Sequence, residues 1–573
     1  MTVRNFLTIL LILGLFLPIV SHAQIGEPNS GVKTRVMLLG DSWANFMWTY
    51  GSMTEALQYN GFADVKENGN FTSIVGMQAE TWASEGWIDV IKARVKALKD
   101  ADIYVIFIGG NDVVWKWRRD KPTDILIPYA DEMLKNTDRI IEEILKINPD
   151  GQIVIGGYDY TNFAESMEVD GNPYRDQWEK FGFAPPKMIN EALIFFEDYR
   201  INYYKNHPNP QVRFINNMGV VQYYGGYPTP SIYEPYGTLE PKTVSLPYGD
   251  IRYPNHLYYM GNYINMVPDA FHLNGLGYRF IADNMIRQFI GDYLRKDFNY
   301  SFTTDGNYDG WVAASGLTSQ GKGAKIGKVD DLEYAGIYTF NTSHFPKGVE
   351  IEKGALYLTR KSGVGKLRTG GGPNDHITVE MKVGHFGEES AIEAGDYLAA
   401  ADFMQVGEVI GNPKADDHKI RVDLTPEVLN AIATAEQIQF RIKVNFGSNP
   451  NRIQFFDMYG GETEDKYWAP TLDLKMSEVP VVGIKNQTVQ PLAIYPNPAA
   501  DILNIDIPEQ FQGRQVKLAL VNTLGSVVKS WTVDASNTYS KETIQLKDIP
   551  AGVYNLSVTD GKLISGGNVI VHR

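Results

Sequence analysis

The sequence predicts a multidomain protein: an α/β domain with a parallel sheet covered on both faces, then an antiparallel β-sandwich, then a small β domain. Three observations predict it. Apolar strand-like runs alternate with amphipathic helical stretches up to residue 296. Beyond residue 299 the pattern changes to short alternating runs separated by Gly, Asn and Asp turns. A polar stretch, 477–490, then separates a last set of short strands reaching the terminus.

At the amino end, Arg4 precedes an almost wholly apolar run at 6–20 that closes with Ser21-His22-Ala23. A charge, a short apolar core and a small residue make a secretory signal peptide over 1–23, cut before Gln24. The run is short for a spanning helix and no other of spanning length follows, so the mature protein is expected to be exported without a membrane span.

A chain of 573 residues is too long for one core and suggests about three or four domains. It has no cysteine, which excludes disulfides, thiolate metal sites and a cysteine nucleophile. The formal charge of −15 argues against nucleic acid or an anionic membrane as partner, because both need a basic surface. No paired-histidine motif occurs, so neither metal nor cofactor is expected. Aromatics are abundant at 12 %, with 33 tyrosines, which suits sugar recognition and β-sandwich cores alike.

In the first domain, residues 36–39 form an apolar strand that ends in Gly40-Asp41-Ser42-Trp43, followed by a helical stretch at 45–60. Ile88, Ile91, Val95 and Leu98 recur at helical spacing, giving a helix over 87–101. Residues 103–108 form a continuous apolar, β-branched run, a strand buried on both faces. A helix over 130–147 stops at Asn148-Pro149-Asp150-Gly151. A strand at 153–155, a helix at 188–206, a strand at 212–215 and a closing helix at 276–296 complete the alternation.

Ligands of open α/β sheets bind at the carboxyl ends of the strands. Ser42 stands at one such end, placed to be a nucleophile, although Gly-Asp-Ser is also an ordinary helix cap or tight loop. Asn111 follows the second strand in Gly109-Gly110-Asn111-Asp112, on the same edge. Gly76 opens a loop into the next helix, where a glycine amide can approach a ligand closely. Asp269 and His272 are three apart just before the last helix, close enough for one turn to aim both inward.

Taken in order, Gly-Asp-Ser, Gly, Gly-Gly-Asn-Asp and Asp-x-x-His resemble the SGNH (GDSL-type) hydrolase superfamily over roughly 33–293. The resemblance implies a flavodoxin-like three-layer domain over 31–299. It also implies Ser42 as nucleophile, His272 as base, Asp269 as its orienting acid, and an oxyanion hole of the Ser42 and Gly76 amides with the Asn111 side chain. Trp43 departs from the smaller aliphatic residue common in the family, which reshapes the adjoining pocket. The match is not the Gly-x-Ser-x-Gly elbow, since Trp43-Ala44 follows the serine. Elimination favours His272 independently. His207 ends a helix and is expected to be solvated or to interact with the helix dipole, and His256 lies in a tyrosine-rich loop.

That loop, 219–266, carries ten tyrosines and six prolines and reads either as a rim shaping the substrate site or as a cover that buries its rings. Residues 300–476 hold strands at 351–359, 376–383, 419–424, 438–444 and 471–474 with one helix at 426–435. Tyr334-Ala-Gly-Ile-Tyr-Thr-Phe-Asn341, the strand at 347–360 and Trp468-Ala-Pro-Thr-Leu-Asp-Leu474 resemble jelly-roll modules of the DNRLRE and carbohydrate-binding type, which implies glycan binding or a spacer. Residues 491–573 open with Tyr495-Pro496-Asn497-Pro498 and carry Pro550-Ala551-Gly552-Val553-Tyr554. These resemble the C-terminal sorting domain of type IX secretion cargo in the Bacteroidetes, an Ig-like β-sandwich. The resemblance implies the secretion machinery as partner, export through periplasm and outer membrane, and release or surface attachment.

The reading is a secreted serine ester hydrolase with carbohydrate esters as the favoured substrate. The alternatives are a lipase or short-chain esterase, and a non-catalytic surface glycan-binding protein.

Overall fold

The structure, a computed structural model, describes residues 31–166, 175–224, 260–264, 267–343, 345, 349–365, 376–411, 413–446, 454–477, 492–508, 511, 514–522, 527–534, 541–560 and 564–572. The chain divides into two compact units between Leu294 and Arg295. The expected signal peptide lies outside the described residues. So do most of the tyrosine-rich loop, including His256, and the linker beyond Ser477.

The first unit is built on five parallel strands: β1 (Lys33–Gly40), β2 (Val65–Asn68), β3 (Ile103–Phe107), β4 (Gln152–Gly156) and β5 (Val212–Ile215). Their order, β2-β1-β3-β4-β5, is the doubly wound order of flavodoxin-like sheets. All five residues of β3 are buried, as a strand covered on both faces requires. The helices α1 (Ser42–Thr49), α2 (Ser52–Tyr59), α3 (Glu85–Ala97), α4 (Ile127–Ile147), α5 (Pro186–Lys205) and α6 (Gly275–Met285) supply the covering layers. In α4 the residues Met133, Leu134, Thr137, Ile140, Ile141 and Ile144 recur on one face and are buried. Register aligns the strand ends: Gly40 pairs with Phe107, Ile106 with Ile155, and Gly156 with Ile215. The residues that follow β1, β3 and β4 therefore emerge along one edge.

Four elements differ from expectation. The helical stretch after Ser42 is two helices, not one, because Gly51 adopts a left-handed conformation (φ +67°) that ends α1 and starts α2. The closing helix contains a π-turn at Ile286–Ile290 between α6 and Gly291–Leu294. The edge strand β2, Val-Lys-Glu-Asn, alternates too briefly and is too polar to stand out. Finally, β6 (Met260–Ile264) and β7 (Val267–Leu273) pair antiparallel, so Asp269 and His272 lie on a strand rather than on a turn.

The second unit is antiparallel. Its larger part pairs strands that include Leu332–Asn341, Ile351–Val364, His376–Val383, Lys419–Leu424, Gln437–Asn445 and Thr471–Met476, around a core containing Tyr338, Leu356, Ile420, Phe440 and Leu472. The helix Pro426–Thr434 buries Val428, Leu429 and Ile432. The tail forms a three-stranded and a four-stranded sheet around a separate core with Leu503, Phe511, Leu518, Leu556 and Val569.

Candidate active site

The end of β1 is shaped by Gly40 (φ +138°). A Cβ there would lie 1.7 Å from the Phe107 carbonyl oxygen, so only glycine lets β1 pass so close to β3. The next residue, Asp41, caps α1: its Oδ1 accepts the Trp43 amide at 2.9 Å. Ser42 is thus the first helical residue, with an amide that has no acceptor within the helix. Asp41 makes the helix cap, and Ser42 presents its hydroxyl next to it.

That hydroxyl meets the far end of the domain. Ser42 Oγ lies 2.7 Å from His272 Nε2, and His272 Nδ1 lies 2.7 Å from Asp269 Oδ2, so residues 230 apart in sequence form one line. Asp269 is fully buried, and its Oδ1 accepts the amides of Phe271 (2.7 Å) and His272 (2.6 Å). These two bonds fold the strand end back over the carboxylate and aim the imidazole at Ser42. The Phe46 ring packs edge-on against the imidazole at 5.0 Å.

Gly76 and Asn111 lie against the same cavity as Ser42 and His272. Four bonds tie their loops together. The Asn111 side chain donates to the Met77 carbonyl at 3.1 Å and Gln78 donates to the Asn111 carbonyl at 2.8 Å. Both oxygens of Asp112 accept the Ala79 amide, at 3.1 and 3.2 Å. Gly76 has a positive φ of +79° and open space where a side chain would point.

A second buried carboxylate sits beside Ser42. Asp41 Oδ2 accepts the Tyr158 hydroxyl at 2.6 Å, and that hydroxyl accepts the Gly110 amide at 2.9 Å. Tyr158 thereby links the ends of β1, β3 and β4. Burial raises the Asp41 carboxyl to about 6 against the pull of the Tyr158 bond. Burial likewise raises Asp112 to about 6, opposed by the Ala79 amide and reinforced by the Asp41 charge. Behind Tyr158, the fully buried pair Arg200–Glu197 closes at 2.8 Å, its guanidinium packed on the rings of Tyr158, Phe196 and Phe214.

Trp43 is buried against Phe107, Tyr158 and Tyr278 and forms part of the cavity wall. His207 is not solvated as expected: its side chain is 9 % exposed, with Nε2 3.5 Å from Asp138. Sequence reasoning missed Asp41, Asp112 and Tyr158. Tyr158 follows Gly156-Gly157, just past the end of β4, a place that sets it apart by no sequence pattern. Among the described residues, no group of three or more His, Asp or Glu side chains is placed to hold a metal ion.

Comparison with known proteins bears on the tail. Residues 493–572 match the family described as the secretion system C-terminal sorting domain. This tail marks the chain as type IX secretion cargo bound for the cell surface or outside, with that machinery as a partner. Among the described residues no helix is long and apolar enough to cross a membrane. No curated protein matches the chain. Similar solved structures include the lipase Lip_vut3 from a goat rumen metagenome, with 12 % identity over 45 % of this chain and 98 % of that one, TM-score 0.27. Another is a carbohydrate esterase family 3 protein from Talaromyces cellulolyticus, with 15 % identity over 45 % and 97 %, TM-score 0.24. A third is a lipolytic protein of the G-D-S-L family from Veillonella parvula, with 12 % identity over 45 % and 98 %, TM-score 0.24.

Proposed function

We propose that residues 31–299 form an SGNH-type serine ester hydrolase, exported by the tail and working through an acyl-enzyme. One observation carries this reading: the unbroken line Ser42 Oγ, His272 Nε2, His272 Nδ1, Asp269 Oδ2, with 2.7 Å at both links.

A serine hydroxyl is a weak nucleophile until a base takes its proton, and imidazole suits that task near neutral pH. Asp269 accepts Nδ1–H, which leaves Nε2 free to accept the Ser42 proton. Ser42 Oγ attacks the ester carbonyl carbon, and its proton passes to Nε2 while Asp269 stabilises the imidazolium. The carbonyl oxygen becomes an oxyanion facing the Ser42 and Gly76 amides and the second N–H of the Asn111 side chain. Each such preorganised donor contributes about 3–4 kcal/mol. Collapse of the intermediate breaks the bond to the alcohol, which leaves with the proton from Nε2. Water then repeats the sequence on the acyl-serine, releasing the acid and restoring Ser42.

The alcohol side of the substrate is taken to be carbohydrate, on the resemblance of residues 300–476 to carbohydrate-binding β-sandwich modules. Incubating the full chain with a fluorophosphonate probe tests the hydrolase reading. Covalent labelling of the wild type, abolished in Ser42→Ala, is expected. A folded wild-type protein that takes no label would support the non-catalytic alternative.

A further inference from the structure

The cavity that opens beside Ser42 has a volume of about 230 Å³, and its character departs from what acetyl removal needs. Its floor is Leu126, Ile189, Ala192 and Phe196, all at most 5 % exposed. Its wall is aromatic: Trp115 packs on Phe181 at 5.3 Å and edge-on to Phe271 at 5.9 Å. A space of this size is several times what one water-sized group needs, whereas an acetyl methyl is one such group.

Polar side chains in the wall are already engaged. Asp159 accepts the amides of Tyr160, Gly219 and Val221, and the Thr161 hydroxyl donates to Asn190. Apart from the groups around Ser42, Gln177 is the exception among the described residues, with an Oε1 that is buried and unpartnered. One side-chain amide cannot satisfy several sugar hydroxyls, and burying them unpaired is unfavourable. The sugar is therefore excluded from this space.

Geometry also says which half of the ester enters. His272 Nε2 must reach the leaving oxygen to return its proton, and the imidazole, which lines the same cavity, is 19 % exposed against at most 5 % for the floor, so it stands at the more open end. The alcohol stays on that open side. What remains bonded to the carbonyl carbon lies over the apolar floor. We propose that the acyl group taken by this enzyme is bulky and apolar, of about six to eight carbons or one aromatic ring, rather than acetyl. This rests on the hydrolase reading of the same site.

The test is a kcat/KM series on the full chain with p-nitrophenyl acetate, butyrate, hexanoate, octanoate and cinnamate, alongside fluorophosphonate labelling. Each methylene buried in an apolar pocket is worth about fourfold. A rise of at least about tenfold from acetate to octanoate or to cinnamate is expected, and whichever of these two arms rises more identifies a chain or a ring as the natural acyl group. Ala192→Phe fills the floor and should lower the octanoate-to-acetate ratio at least about tenfold, with Leu193→Phe on the same helix as a second obstruction should the first fail to fold. Fastest turnover on acetate, falling with length, overturns the inference and leaves the hydrolase standing. A length preference that neither folded variant moves also overturns it. No hydrolysis and no labelling would instead remove the hydrolase reading itself.

Discussion

Two carboxylates are buried within reach of the same serine, one at each side of the site, and the chain treats them differently. Asp269 is fully buried and collects three donors: two backbone amides on Oδ1 and the imidazole on Oδ2. Asp41, adjacent to Ser42 in sequence and 2 % exposed, collects the Trp43 amide and the Tyr158 hydroxyl, and burial still lifts it to about 6. The difference teaches that neighbourhood in sequence does not decide which acid pairs with the imidazole. Asp269 bonds to the imidazole directly. Asp41 is a positioning residue that holds the start of α1 and, through Tyr158, the Gly110 amide.

The largest expected effect breaks that comparison if it is wrong. Asp269→Asn should lower kcat by about 10³–10⁴, since the amide can no longer fix the imidazole tautomer or stabilise its charged form. Asp41→Asn should stay within roughly tenfold of wild type, because asparagine caps a helix as well as aspartate does. Steady-state kinetics on one ester checks both. Equal losses in the two variants would mean that Asp41 takes part in proton transfer.

Tyr158→Phe sharpens the comparison at the next level. Removing one hydroxyl takes the acceptor from Gly110 N–H and the donor from Asp41 Oδ2 at once. A buried group left unpaired costs about 1–3 kcal/mol, so a loss on the order of 2–4 kcal/mol in unfolding free energy is expected. Because Gly110 precedes Asn111, kcat should fall by about tenfold while KM changes less. Denaturant unfolding alongside kinetics separates the two. Unchanged stability would show that the three strand ends do not need this hydroxyl.

Much of this site could be read from residues alone, for physical reasons that also explain the rest. The strand ends were legible because residues 36–39 and 103–108 are continuous apolar runs that stop at Gly40 and Gly109. Ser42, Asn111, Asp269 and His272 then follow as the polar residues at those ends and before the last helix. Tyr158 was not legible, since its partner Asp41 is 117 residues away and a tyrosine after a strand carries no periodic signal. The apolar cavity was illegible for the same reason: Trp115, Leu126, Phe181 and Ile189 come from separate segments that only the fold brings together. Asp269 shows a subtler limit. Three-residue spacing suggested a turn, and a strand met the same geometric need by bending around the carboxylate.

A third buried carboxylate extends the comparison to a site with fewer partners. Glu67 sits on the edge strand β2, 7 % exposed, and its Oε2 has no hydrogen-bond partner. Burial raises its carboxyl from 4.5 to about 8. The folded state therefore holds this proton more tightly than the unfolded state, so ionisation of Glu67 lowers stability as pH climbs from about 4.5 to about 8. Glu67→Gln removes that dependence. The relief, up to about 4–5 kcal/mol above pH 8, is offset by the new amide donors losing water at about 1–3 kcal/mol. A net gain on the order of 1–4 kcal/mol at pH 9 is expected, with a loss of about 1–3 kcal/mol at pH 4, where wild-type Glu67 is already neutral. Thermal unfolding of both proteins at pH 4, 6, 7.5 and 9 measures the difference. A gap that stays flat with pH would show that Glu67 ionises in the folded state as readily as in the unfolded chain. Its place on the edge strand would then be no less hospitable to charge than the donor-rich niche of Asp269.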